Sequence, residues 1–219
     1  MLYGRSQWGE DRTLLPLLLD ATKGGPGVFV ELGALDGDTY SNTIMLERCF
    51  NWTGVLIEAN PFNFAKLRNS GRRAALVHSA VCVGIPSISM TLQGGPAAGD
   101  VRKLSKRQKR HFNLNQTVTI PCKSLVDIMA DAGFHSAQFL SLDVEGAEDL
   151  VLEAADPSAF DLVMVETEGK TNGTKQRVHT LLSQAGLQPL RGLAVQLELH
   201  GPGKFGLANL QTMQPICTR

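Results

Sequence analysis

The chain has 219 residues, 43% of them hydrophobic, and its 21 basic and 21 acidic side chains leave no net formal charge. That balance suits one soluble globular domain with a sizeable core and gives no electrostatic reason to expect nucleic acid as a partner. No apolar run approaches the ~20 residues that span a bilayer, so membrane association would rest on segments outside this chain.

Residues 11–22 read as a helix, closed by Lys23-Gly-Gly-Pro-Gly27. Its apolar stretch, 14–19, contains Pro16, follows charged residues and precedes no cleavage pattern, so it is expected in the core rather than as a signal segment. Strand one covers 28–32 and leads through a glycine turn to a helix near 41–50. Strand two covers 54–58, and Asn60-Pro61 opens the next helix, where proline's missing N–H is not needed. Strand three covers 75–83. The rhythm breaks over 86–122. There 88–92 and 117–120 alternate like an antiparallel pair, around the glycine-rich 94–99 and the basic run 102–111. The basic run is expected to be a solvated loop rather than a grip on an acidic substrate or a membrane surface.

Alternation then resumes with a helix at 124–132 ended by Gly133, strand four at 137–144, a helix at 147–155, strand five at 160–166 and a helix at 175–185 ended by Gly186. Segments 193–199 and 205–210 suggest a late hairpin around His200-Gly-Pro-Gly203. Alternating strands and helices predict an α/β fold. It would be a doubly wound, Rossmann-like, mostly parallel sheet with an antiparallel late strand and helices on both faces.

Cys49, Cys82, Cys122 and Cys217 show no CxxC spacing, which argues against a metal site built from them. They read as buried free thiols or as the disulfides of an oxidised luminal domain. Three sequons, at Asn51, Asn115 and Asn172, keep the luminal reading open beside the cytoplasmic one. Trp8 and Trp52 are expected to be packing residues rather than substrate platforms. His78, His111, His135, His179 and His200 are expected to be structural or solvated, with His200 the one nearest a possible acceptor cleft.

Three strand ends carry acids: Glu31 with Asp36 in its turn, Glu58, and Asp143 with Glu145. In a doubly wound sheet these ends gather along one edge, where ligands bind. Glu58 stands where an acid that accepts from both ribose hydroxyls is expected. The turn Gly33-Ala-Leu-Asp-Gly37 lacks the GxGxxG spacing of a dinucleotide site, and Leu35 and Asp36 oppose a diphosphate by bulk and by charge. A cationic nucleoside cofactor, S-adenosylmethionine, suits the site better.

Glu31-Leu-Gly-Ala-Leu-Asp-Gly37 resembles motif I of class I S-adenosylmethionine-dependent methyltransferases. Ile57-Glu-Ala-Asn-Pro61 and Ser141-Leu-Asp-Val-Glu-Gly-Ala-Glu148 resemble the second and third signatures of the FkbM family. Ser6-Gln-Trp-Gly-Glu-Asp11, Ser41-Asn-Thr43 and Asn51-Trp-Thr-Gly-Val-Leu-Ile57 look closest to its Star-like branch. Ser141 stands where many members have Lys, and Leu35 where many have Asn. The resemblance implies a single methyltransferase domain with a helical cap (1–27), a cofactor-binding half (28–93), a basic insertion (94–116) and a second half ending in an acceptor-side tail (117–219).

By position, the resemblance assigns Glu31, Gly33, Ala34, Asp36 and Gly37 to the methionine end of the cofactor, with Ser41 and Asn42 lining that pocket or capping the helix. Glu58 would hold the ribose, with Ala59 and Asn60 beside it, and Ser79, Ala80 and Val81 would border the adenine. Asp143 would face the sulfonium and the acceptor.

A hydroxyl acceptor must lose a proton, and Asp143 and Glu145 are the candidate catalytic carboxylates, with Glu166 behind them. Asp143, Glu145 and Glu166 offer oxygen ligands for Mg²⁺ or Ca²⁺, but no ligand spacing supports a site and no metal is expected. The implied activity is methyl transfer from S-adenosylmethionine to a hydroxyl oxygen of a small molecule, sugar or lipid-linked acceptor. The alternative is a non-catalytic luminal binding or trafficking module that keeps the fold.

Overall fold

The computed structural model describes residues 4–93, 95–96, 99–101, 109–110, 116–167, 170–190 and 198–201. In chain order the helices are α1 (Glu10–Ala21), α2 (Ile44–Phe50), α3 (Pro61–Leu67), α4 (Leu125–Asp131), α5 (Glu148–Glu153) and α6 (Asn172–Gln184). The strands are β1 (Val28–Leu32), β2 (Thr53–Glu58), β3 (Ala75–His78), β4 (Ala80–Val81), β5 (Ser87–Thr91), β6 (Thr117–Lys123), β7 (Ala137–Leu142), β8 (Phe160–Val165), β9 (Gln188–Pro189) and β10 (Glu198–Gly201).

The main sheet has seven strands in the order β3-β2-β1-β7-β8-β10-β9. Its first five strands are parallel, and β10 runs antiparallel to β8 and to β9. The fold is therefore the expected α/β, Rossmann-like one with an antiparallel late strand. Successive strand residues point to opposite faces, and both faces are covered. Val30, Leu32, Val55, Ile57, Leu140 and Val163 pack with α4, α5 and α6 on one side. Phe29, Leu56, Phe139, Leu162 and Met164 pack with α1, α2 and Trp52 on the other.

Local signals set the helix starts. The Asn60 side chain accepts from the Phe62 and Asn63 amides, with Pro61 at the first helical position. Ser124 and Thr171 cap α4 and α6 in the same way.

Several expectations are corrected. Strand three is two strands: the chain leaves the main sheet at Ser79, whose hydroxyl donates to the Ala80 and Pro121 carbonyls, and β4 joins a second sheet ordered β4-β6-β5. The expected antiparallel pair is β5 with β6, in register Ser87↔Pro121 to Thr91↔Thr117. Helix α2 begins at Ile44, because Ser41 and Thr43 are engaged in binding Glu31. The late hairpin pairs β10 with β9, and His200 lies inside β10 opposite Val163. Trp52 is buried as expected, but Trp8 is 59% exposed.

The free-thiol reading fails: Cys82 and Cys122 form a disulfide between the ends of β4 and β6, and no cysteine among the described residues is free. The glycine-rich 94–99, most of the basic run 102–111, the Asn115 sequon, Cys217 and the 205–210 strand fall wholly or partly outside the described residues.

Candidate cofactor and acceptor cleft

β1 is the switch point of the sheet. The chain runs outward from it through β2 to β3, then adds β7 and β8 on its other side. Connections diverge there and leave a crevice at the carboxyl ends of the strands. The cleft encloses about 950 Å³, counting space open to solvent. The ends of β1, β2 and β7, the 79–81 segment, β5 and Gly95, Pro96, Gly99 and Asp100 border it.

The turn after β1 is fixed by close backbone approach. The Gly33 and Ala34 amides donate to the Ile57 carbonyl at 3.1 and 3.2 Å. Gly33 has φ 77°, and a Cβ there would stand 1.9 Å from the Asp143 carbonyl oxygen, so only glycine lets the two strand ends meet. Leu35 follows at φ 51°, a conformation that costs a bulky residue roughly 1–2 kcal/mol. Its amide donates to Glu58 at 2.8 Å.

Asp36 turns its carboxylate into its own loop, accepting from the Asp38 and Thr39 amides and the Thr39 hydroxyl. Burial pushes its pKa up, but these bonds outweigh that and hold it below the usual value.

Glu31, 3% exposed, is fully engaged by the protein. It accepts from the Ser41 hydroxyl at 2.9 Å, the Asn42 amide at 2.8 Å and the Thr43 hydroxyl. Behind these stands buried Arg72, which donates to Ser41 Oγ at 3.1 Å, Thr43 Oγ1 at 2.9 Å, the Gly37 carbonyl at 2.7 Å and Glu47 at 3.1 Å. Its Nη1 is 3.9 Å from Glu31, and its guanidinium lies over the Phe29 ring. This network joins the loop after β1 to the start of α2.

Glu58 ends β2 and lines the cleft, 5% exposed. Burial pushes its carboxyl up to about 7, against opposing hydrogen bonds from the Asn60 and Leu35 amides and the Asn63 side chain. Asn60 and Asn63 also build the wall beside it. Asn60 Nδ2 donates to the Thr91 and Gln93 carbonyls, and Asn63 exchanges two bonds with the Gly95 backbone. Across the cleft, Asn42 Nδ2 donates to Ser141 Oγ at 3.0 Å, while its Oδ1 is buried without a partner.

The ends of β7 and β8 hold a denser group of acids. Burial, then repulsion from Glu166 and Glu145, drives the Asp143 carboxyl well above the carboxylate range, with Lys170 opposing. Its Oδ1 is buried and has no hydrogen bond. Glu148 is fully buried; Oε1 accepts from the Val144 and Gly146 amides and lies 3.3 Å from Lys170 Nζ, while Oε2 has no partner. Glu166 accepts from Lys170 at 2.7 Å. Glu145 sits at φ 56° on the cleft rim.

Of the residues singled out in the sequence, Glu31, Gly33, Asn42, Glu58, Ala59, Ser79, Ala80, Val81, Asp143 and Glu145 line this one cleft. Ala34 packs in the core against α1 and α2, and Asp36 and Gly37 lie in the turn behind. Ser41 is buried between Glu31 and Arg72, and Asn60 caps α3. These five support the cleft without lining it. His200 packs edge-on to the His179 ring at 5.2 Å and is not a lining residue. Sequence reasoning missed Arg72, Asn63, Glu148 and Lys170. Glu148 was visible as the last residue of the third signature, whereas Arg72 sits in a polar stretch that reads as exposed loop.

The family profile described as Methyltransferase FkbM domain matches residues 31–189. The chain belongs to the FkbM methyltransferase family. No curated protein gives a significant match. Among solved structures, the chain is similar to the methyltransferase FkbM from Methylobacillus flagellatus KT (16% identity, TM-score 0.48, covering 80% of this chain and 43% of that one). It also resembles a putative sarcosine dimethylglycine methyltransferase from Galdieria sulphuraria (10%, TM-score 0.44, 83% and 62%). A third is a precorrin-6y C5,15-methyltransferase from Geobacter metallireducens GS-15 (11%, TM-score 0.40, 85% and 82%). The chain thus spans less than half the length of the FkbM structure it matches. The FkbM domain places the motif I turn and all three acidic strand ends within the matched residues.

Proposed function

We propose that this FkbM domain transfers a methyl group from S-adenosylmethionine to a hydroxyl oxygen of a small molecule, sugar or lipid-linked acceptor. The observation that supports the reading is the cleft at the switch point, whose lining among the described residues offers hydrogen-bond acceptors and no Lys, Arg or His side chain. Glu58 offers a carboxylate suited to a ribose diol, and the orphan Oδ1 of Asn42 suits an ammonium donor. Ser79, Ala80 and Val81 provide the neutral wall against which a purine would lie. S-adenosylmethionine supplies the electrophilic methyl and a good leaving group. The chain's own part is to align the acceptor, which is worth several kcal/mol, and to hold a base near it. Asp143 and Glu145 line the cleft and are the candidate bases, and its raised pKa would make Asp143, once ionised, a stronger base than an ordinary carboxylate.

The test is calorimetry with S-adenosylhomocysteine. We expect one site in the wild type and at least tenfold weaker binding in Glu58→Ala. A folded wild type that binds nothing would end the proposal. The Cys82–Cys122 disulfide and the exposed Asn51 and Asn172 sequons support an oxidising, luminal setting. In that setting the second reading, a non-catalytic binding module, is favoured if S-adenosylhomocysteine binds but no acceptor in a broad screen gains a methyl.

A further inference from the structure

We propose that Asp143, Glu148 and Glu166 form a binding site for one divalent cation of the Mg²⁺, Mn²⁺ or Ca²⁺ class. One carboxylate oxygen from each lies within 4.8 Å of the others, the spread that a single oxygen-ligated ion can bridge. The site is empty. The donor set is all carboxylate, with neither sulfur nor imidazole, which selects hard cations.

The grouping differs from the one weighed in the sequence, since Glu148 takes the place of Glu145. It also departs from the expectation of no metal. Sequence spacing cannot show it, because its members come from the end of β7, the start of α5 and the end of β8.

Two further observations point to a cation rather than to an incidental acidic patch. Glu148 is fully buried, and its Oε2 has no partner; Asp143 Oδ1 is likewise buried and unbonded. Buried carboxylate oxygens are ordinarily bonded, so two in one place mark an unmet demand for positive charge. Lys170 is the only cation against the group among the described residues, at 3.3 Å from Glu148 and 2.7 Å from Glu166. One ammonium cannot serve all three carboxylates, and a divalent ion in its place brings one more positive charge to the group. Lys170 is therefore the ion's competitor: a bound ion displaces its ammonium, and its own loss should open the site. Asp143 also lines the cleft, so an ion held there would border the acceptor.

The test uses the protein without cofactor, so its outcome is separate from that of methyl transfer. Mn²⁺ is titrated and followed by electron paramagnetic resonance, and Ca²⁺ and Mg²⁺ by calorimetry. One saturable site is expected in the wild type, weakened at least tenfold in Glu166→Gln and in Glu148→Gln, and strengthened at least tenfold in Lys170→Met. If Glu148→Gln does not fold, Glu166→Gln decides, because Glu166 is 26% exposed at its side chain and tolerates substitution. No saturable binding at millimolar ion in both wild type and folded Lys170→Met overturns the proposal. So does wild-type binding that Glu166→Gln leaves unchanged.

Discussion

Two acidic centres stand side by side at the carboxyl ends of adjacent strands, and they are built to opposite rules. At the end of β1, Glu31 is saturated by two hydroxyls and an amide, with Arg72 tying those donors to Gly37 and Glu47. At the ends of β7 and β8, three carboxylates share one ammonium and leave buried oxygens unbonded. The same residue type therefore does different work. A satisfied buried carboxylate fixes a backbone, whereas an unsatisfied one stores unfavourable energy that a ligand, a proton or an ion can release. The first centre shapes the cleft. The second is where reactivity is expected.

The strongest way to break this contrast is to unbalance the satisfied centre. Arg72→Met keeps the bulk and removes the charge, leaving Glu31 and Glu47 buried without their shared cation. Removing one partner of a buried pair costs about 3–5 kcal/mol. Chemical denaturation should show a loss of that order, and S-adenosylhomocysteine binding should weaken with it. A loss under about 1 kcal/mol would mean that Arg72 does not organise the loop.

The unsatisfied centre should respond in the other direction. Asp143→Asn removes a like charge and adds an N–H donor facing Glu148 and Glu166, so we expect the fold to gain about 1–2 kcal/mol while transfer is lost. The sign depends on pH. The folded pKa of Asp143 lies above its unfolded value, so the wild type carries no penalty below the unfolded value, where the group is protonated in both states. The penalty grows as pH rises through the folded pKa. The stabilisation in Asp143→Asn should therefore shrink on acidification. A variant less stable than wild type at neutral pH would show that Asp143 is held by favourable contacts after all.

How much of this was legible in the sequence follows the range of the interactions. The β1 turn, the Asn60-Pro61 cap and the acids at three strand ends are local patterns, and the structure brings those strand ends to one cleft. The parallel order is legible too, because continuous apolar strands must be covered on both faces. What was hidden depends on residues far apart in the chain. Arg72 reaches Glu31, 41 positions earlier, and no periodicity marks a buried arginine. The Cys82–Cys122 pairing joins two strands of a second sheet that exists only because the chain turns out of the first at Ser79. Glu148 was read as part of a signature, but its burial between two backbone amides and Lys170 is a tertiary fact.

Glu58 lies between the two regimes and gives the finest test. It is bonded, yet burial still pushes its carboxyl up to about 7. A ribose diol donates to the ionised form, so cofactor binding is coupled to loss of that proton. The affinity for S-adenosylhomocysteine should fall as pH drops through about 7, by up to tenfold per unit, and level off on the alkaline side. The free protein should respond oppositely through this group: its folded pKa exceeds the unfolded 4.5, so its contribution is most favourable at acid pH and is lost as pH rises through about 7. One side chain would thus make acid stabilise the empty cleft and weaken the filled one. Glu58→Gln should bind more weakly and flatten both profiles; a variant that keeps the wild-type pH dependence of binding would assign it instead to the unsatisfied acids around Asp143.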